Sequence, residues 1–224
     1  MRSYERVKQA YHRIAARVVA IVLRPGAAYM PNNFELWQRR GYHILPVHFY
    51  SPVPDTRVLQ SSDLWTRPRT LSGIDWNLGC QIEHIAVFFP PFGKEFAEEL
   101  DNGSLGRLGF SLDNDAFTGT DPAVLYAFLR YYKPGLVLEI GSGHSSRVIA
   151  AALSHSSHGE MMSIDPYPSE QLLADLSDFP HTVIKEKVEQ LQPDLFDRLD
   201  SGDVLFIDST HTVRTGGDVT YLFL

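Results

Sequence analysis

The sequence predicts an α/β fold: a mostly parallel sheet with flanking helices, incomplete at its C-terminus and preceded by a mixed helical and loop extension. Three observations predict it. Short apolar runs at Leu136–Ile140, Met161–Ile164, His181–Ile184 and Val204–Ile207 alternate with helix-forming stretches, a pattern that indicates βαβ units with right-handed crossovers. The first of these runs is apolar without a strict polar alternation, as expected of a parallel strand covered on both faces. Of the 224 residues, 44% are hydrophobic and 21% charged, so the chain can bury a core and is not a disordered segment.

Charge and cysteine content narrow the function classes. Lys and Arg number 20 against 27 Asp and Glu, a formal charge of −7, so the chain is a poor ligand for nucleic-acid phosphate. Cys80 is the single cysteine, which excludes an intrachain disulfide and a cysteine zinc cluster. The apolar stretch Ile14–Leu23 is short and interrupted by Arg17. It fits neither a membrane span of about 20 apolar residues nor a signal peptide. The expected location is the cytoplasm, with no membrane partner.

Two domains are expected, an extension over residues 1–104 and an α/β domain over 105–224, with the character of the chain changing near residue 120. In the first, Pro25, Pro31, Pro46, Pro52, Pro54, Pro68, Pro90 and Pro91 divide regular structure into short pieces. Residues 3–24 read as helical. Tyr42–Tyr50 reads as a short strand that Pro46 demotes to an edge or a loop. Asp75–Phe89 and Lys94–Leu100 read as helices, and Asn102–Thr120 as a linker with turns. In the second, Asp121 caps a helix with Pro122 at its first position. Val124, Leu125, Phe128, Leu129 and Tyr132 then recur at helical spacing, and Pro134-Gly135 stops the helix. After the strand Leu136–Ile140 come a tight turn Gly141–Ser146 and a helix Arg147–Leu153. The strand Met161–Ile164 ends at Asp165 and precedes a helix Ser169–Leu176. The strand His181–Ile184 precedes a short helix Pro193–Leu199. The strand Val204–Ile207 ends at Asp208, ahead of residues 212–224. The expected strand order is 3-2-1-4.

In an open parallel sheet, ligands bind beyond the carboxyl ends of the strands. Three features fall there: the turn Glu139-Ile140-Gly141-Ser142-Gly143-His144-Ser145-Ser146, Asp165 and Asp208. Glycines at 141 and 143 permit a tight turn and close approach of a ligand, although a Gly-Ser-Gly turn can also be only a turn. The dinucleotide fingerprint requires a glycine where Ser146 stands, and Glu139 would repel a pyrophosphate but suits a cationic amine. Asp165 follows Gly143 by 22 residues, the place of an acid that accepts both ribose hydroxyls; its alternative is a helix cap.

Glu139, the Gly141-Ser142-Gly143 turn, Asp165 and the Phe206-Ile207-Asp208-Ser209-Thr210-His211 segment resemble a class I S-adenosylmethionine-dependent methyltransferase of Rossmann-like fold. The resemblance is to the branch with a Gly-Ser-Gly-x-Ser turn, in which Ser145 stands where a third glycine otherwise lies. It implies that Glu139, Gly141, Ser142, Gly143, Ser145 and Ser146 hold the methionine part of S-adenosyl-L-methionine, and Asp165 the ribose. It covers roughly residues 105–224, and residues 42–55 resemble the leader of members of that branch. Complete members have seven strands, against four read here; a fragment, a natural truncation and completion of the fold by residues 1–120 or a partner all remain open.

Methyl transfer needs a positioned acceptor and a base. His211, with an unperturbed pKa near ~6.5, is the candidate base for a hydroxyl. Asp208 either orients it or binds a divalent cation such as Mg; each also has a plain role at a helix start. Glu189 is placed to reach an adenine edge or to be a solvated charge. Asn114 and Phe117 either flank the methionine site or pack a loop. The Phe88–Phe92 cluster reads as packing or a partner surface, and Cys80 as a buried small hydrophobe. The expected function is methyl transfer to a small-molecule hydroxyl. The rivals are a nicotinamide-dependent oxidoreductase and a non-catalytic nucleotide-binding or interaction module. A homo-oligomer is open, because the apolar ending Tyr221-Leu222-Phe223-Leu224 and an uncovered fourth strand invite assembly.

Overall fold

The computed structural model describes residues 10–15, 17–19, 34–45, 47, 53, 55–61 and 75–223. The chain divides into two compact units, Met1–Ile74 and Asp75–Leu224. In the first, residues 10–15 and 17–19 are helical, and two short helices follow, α1 (Phe34–Gln38) and α2 (Thr56–Ser61). Residues 42–45 form no strand. The remainder of the expected helix over 3–24, and residues 46 and 48–50 of the expected strand, lie outside the described residues.

The second unit begins with a helix that sequence reading breaks in two. Pro90 and Pro91 lie inside one continuous helix, α3 (Leu78–Asn102). Each proline removes an N–H from the helical ladder, which leaves the carbonyls of Ala86 and Val87 without their donors. Those residues and both prolines are exposed, so water satisfies the carbonyls. The opposite face holds the helix together: Phe88 is buried against the rings of Phe128, Tyr131 and Tyr132, and Phe96 against Phe110 and Tyr126. The Phe88–Phe92 cluster is therefore packing, joined by a stack of Arg130 over Phe92 at 5.4 Å. Phe88→Ala is expected to cost about 3 kcal/mol in urea unfolding; a loss below about 1 kcal/mol would remove Phe88 from the core.

The expected linker holds a short helix, α4 (Ser104–Arg107). It also holds a loop closed by Asn114, whose amide donates to the carbonyls of Ser111 and Phe117 at 2.7 and 2.9 Å. The next helix, α5 (Asp121–Tyr132), has Thr120 at its cap position, and Asp121 sits in its first turn. Lys133 in the left-handed conformation ends it. Tyr126 and Arg130 of α5 both donate to Glu95 of α3, at 2.7 and 2.5 Å, so α3 packs within the sheet unit Asp75–Leu224.

The strands are β1 (Leu136–Ile140), β2 (Glu160–Ile164), β3 (His181–Ile184) and β4 (Val204–Ile207). All pairs are parallel, in the order β3-β2-β1-β4. The chain is an α/β protein of Rossmann-like arrangement. Helix α6 (His144–Leu153) follows β1 and α7 (Glu170–Asp175) follows β2. Two 3₁₀ turns, Val188–Gln190 and Pro193–Arg198, stand where one short helix is expected. Helix α8 is confined to Asp218–Phe223, later than residue 212.

Strand period two sorts β1 between two cores. Val137 packs with Met161, Leu129, Val148, Ile149 and Leu153 on one face. Leu136, Leu138 and Ile140 pack with Met162, Ile164 and Val188 on the other. Ala150, Ala151 and Ala152 let α6 lie close to the sheet, and they are buried throughout. Among the described residues, no helix is long and apolar enough to cross a membrane.

Candidate functional site

The site is built at the carboxyl ends of β1, β2 and β4. Leaving β1, Gly141 takes φ +95°, a region L side chains rarely enter. Its N–H donates to the Ile164 carbonyl at 2.9 Å, while Asp208 N–H donates to the Ile140 carbonyl at 3.0 Å. The turn is thus wedged between two strand ends, and a Cβ on Gly141 would overlap the Asp208 carbonyl oxygen. Gly143 differs: its φ of 172° is extended, and a Cβ there would meet no atom within 4 Å.

A cleft of about 520 Å³ opens above the strands, within the roughly 300–1,000 Å³ usual for small-ligand sites. Gly141, Ser142, Asp165, Glu189 and Asp208 all line it. Asp165 is held in place: Ser142 Oγ donates to its Oδ2 at 2.5 Å, and Tyr167 N–H to its Oδ1 at 2.7 Å. Glu189 therefore lines the cleft rather than standing off as a solvated charge.

Glu139 does not line the cleft. It shares strand parity with Val137, so its side chain enters the face covered by α6 and is fully buried. Ser145 Oγ donates to its Oε1 at 2.6 Å; Ser146 Oγ and Ser163 Oγ donate to its Oε2 at 2.7 and 2.8 Å. Ser146 Oγ in turn accepts from Gly143 N–H at 2.9 Å. Ser145 and Ser146 thus tie the helix start to Glu139 and likewise stay out of the cleft lining. Burial drives the Glu139 carboxyl up from the ordinary 4.5 to about 7; the three serine hydroxyls oppose the shift and the Asp208 charge adds to it. The His181 ring nitrogen Nε2 lies 2.9 Å from Ser163 Oγ. Burial holds His181 below its ordinary value.

Beyond β4, His211 Nε2 lies 2.8 Å from Asp208 Oδ1. His211 has φ +55°, a left-handed conformation uncommon outside glycine. Asp208 lines the cleft and His211 does not; its side chain is 73% exposed. Sequence reading missed Asp218, which is 4% exposed and organises this segment. It accepts from Thr210 N–H at 2.8 Å and Thr210 Oγ1 at 2.7 Å. Burial disfavours its charge, but hydrogen bonds from Thr210, Ser209 and Val219 outweigh this and hold it far below the usual carboxylate range. Lys187, Val188, Tyr167 and Arg214 were also missed and line the cleft.

The expected metal role of Asp208 has no ligand set: among the described residues no group of three His, Cys, Asp or Glu is placed to hold an ion. His144 Nδ1 is buried without a hydrogen-bond partner, with its ring edge-on to Phe110. Asn114 closes its own loop and Phe117 packs against the core; neither lines the cleft. Cys80 is half-buried rather than buried, 3.7 Å from His84 Nε2.

Residues 138–223 match the profile of a family described as a methyltransferase domain. A protein of Archaeoglobus fulgidus, named only as uncharacterized, is 28% identical over 181 residues, covering 76% of this chain and 81% of that protein. No solved structure matches the chain. The family match, together with the parallel sheet, supports a methyltransferase domain over residues 138–223.

Proposed function

We propose that the chain binds S-adenosyl-L-methionine and transfers its methyl group to a hydroxyl of a small-molecule acceptor. The observation that carries this reading is that Ser142, Asp165 and Asp208 share one cleft at the end of a parallel sheet, with open space above Gly143. The residues fit the cofactor. Gly143 lies outside the cleft lining with open space beside it, and Asp165 presents a fixed carboxylate at the end of β2 for ribose hydroxyls. Glu139 supports the turn from beneath instead of touching the ligand. Ile164 and Val188 supply apolar lining for a flat base.

When bound, the cofactor would supply an electrophilic sulfonium methyl, which an acceptor oxygen would take with the carbon–sulfur electron pair left on sulfur. The chain's part is orientation and removal of the hydroxyl proton. His211, beside Asp208 and outside the cleft lining, is the proposed base: with Nε2 toward Asp208 Oδ1, its Nδ1 is the atom left to take that proton. The Asp208 carboxylate then stabilises the imidazolium. Asp218 positions this pair through Thr210. The net charge of −7 and the size of the cleft suit a small acceptor rather than nucleic acid.

Calorimetry with S-adenosylhomocysteine tests the reading. The native chain is expected to bind it, and Asp165→Ala to raise the dissociation constant at least about tenfold, or about 1.4 kcal/mol. Binding of NADH in its place, or unchanged affinity in the variant, would overturn it.

A further inference from the structure

Arg214 is a cation set at the cleft. It lines the cavity beside Asp208, Ser209 and Thr210, and its side chain makes no hydrogen bond or ion pair with another described residue. It is nevertheless held. Its carbonyl accepts from Gly217 N–H at 3.1 Å and from Thr220 Oγ1. Its stem lies across Gly217, where an added Cβ would fall 2.6 Å from Arg214 Cγ and 2.9 Å from Nε. Of the carboxylates lining the cleft, Asp208 is engaged by His211, Asp218 by Thr210, and Asp165 by Ser142 and Tyr167, while Glu189 lies with Lys187 beyond β3. A guanidinium presents a planar fork of donors suited to an oxyanion, and Arg214 is exposed at the cleft, open to a ligand.

We infer that the methyl acceptor carries an anionic oxygen group, a carboxylate or a phosphate, which Arg214 holds while the acceptor hydroxyl meets the Asp208–His211 pair. This rests on the methyltransferase reading and names its substrate class. Lys187 lines the opposite part of the cleft next to Val188 and Glu189, at the end of β3 where the base of the nucleoside is expected, so Arg214 is the residue on the acceptor side.

The test uses the full chain loaded with S-adenosylhomocysteine and calorimetry on matched probes: 4-hydroxybenzoate against phenol, glucuronate against glucose, and glucose 6-phosphate against glucose. At least one acidic probe is expected to bind at least tenfold tighter than its neutral match. The two carboxylate pairs and the phosphate pair tell which oxyanion is read. In Arg214→Met that preference falls to twofold or less, Arg214→Lys restores part of it, and the affinity for S-adenosylhomocysteine stays within twofold of the native chain. Equal binding of acidic and neutral probes, no binding of any acidic probe, or a preference kept in Arg214→Met overturns the inference. So does loss of S-adenosylhomocysteine in Arg214→Met, which would assign the guanidinium to the cofactor's own carboxylate. Failure of the native chain to bind S-adenosylhomocysteine removes the methyltransferase reading and the inference with it; binding without acid preference removes the inference alone.

Discussion

Gly141→Ala is expected to melt about 6–12 °C below the native chain, whereas Gly143→Ala keeps its melting temperature within a few degrees and loses affinity for S-adenosylhomocysteine. The two glycines sit two residues apart in one turn, and their surroundings separate the cost of folding from the cost of binding. At Gly141 a side chain meets both a left-handed φ of +95° and the Asp208 carbonyl. That obstacle is backbone fixed in the β1–β4 ladder and cannot rotate away. A penalty of about 3 kcal/mol follows from strain plus overlap, and for a unit of this size each kcal/mol lowers the midpoint by about 2–4 °C. At Gly143 the backbone is extended and the space is open, so the folded state loses no more than about 1 kcal/mol as the helix start exchanges glycine for alanine. On the proposed cofactor reading, the added methyl takes space against the turn that the ligand would use. Thermal unfolding and calorimetry on both variants check the pair. Unchanged affinity in Gly143→Ala would show that the turn is not the cradle.

That contrast also marks what could be read from residues alone. The four strands and their order follow from short apolar runs that end on acids or glycines, because a strand covered on both faces leaves little choice of residue. Asp165 was readable from its distance to the turn, since β–turn–α–β spacing is set by the geometry of a crossover. Glu139 was readable as a strand-end acid but not in its direction. Its parity with Val137 sends it under α6, and the serines at 145, 146 and 163 are the residue types that could have announced a buried carboxylate. The helix Leu78–Asn102 was hidden by Pro90-Pro91, because proline rules describe the backbone ladder and not the Phe88, Phe92 and Phe96 stripe that outweighs two lost hydrogen bonds on a wet face. Asp218 carried no local signal. Its role depends on the chain folding back over eight residues to Thr210, and only the assembled loop makes that visible. Arg214 was equally silent, since an arginine in a loop reads as solvated until the cleft beside it is formed.

The buried carboxylate makes the stability of the chain depend on pH in a direction opposite to that of a surface acid. Glu139 has a folded value of about 7 against an ordinary 4.5. The native state therefore binds the proton more tightly than the unfolded chain. The stability that goes with the protonated form is fully present below pH about 4.5 and is lost as pH rises through about 7, a change of about 3 kcal/mol at 1.36 kcal/mol per unit. The charged groups facing this site do not reverse the sign: Asp208 at the end of β4 raises the value further, and His181, reached through Ser163, is held neutral by burial. Glu139→Gln removes the titration while keeping the shape. The amide can accept from Ser145 and donate to Ser146 and Ser163, with Ser163 turning its own proton toward His181. Urea unfolding of both proteins at pH 5, 6, 7 and 8 isolates this one group, because every other titration is common to both. The variant is expected to gain on the native chain with rising pH, by about 2–3 kcal/mol across the series, less than the full shift because the unfolded group is already mostly ionised at pH 5. A difference that stays flat would mean that Glu139 is ionised throughout, and that the serine cage, rather than a proton, holds the turn together.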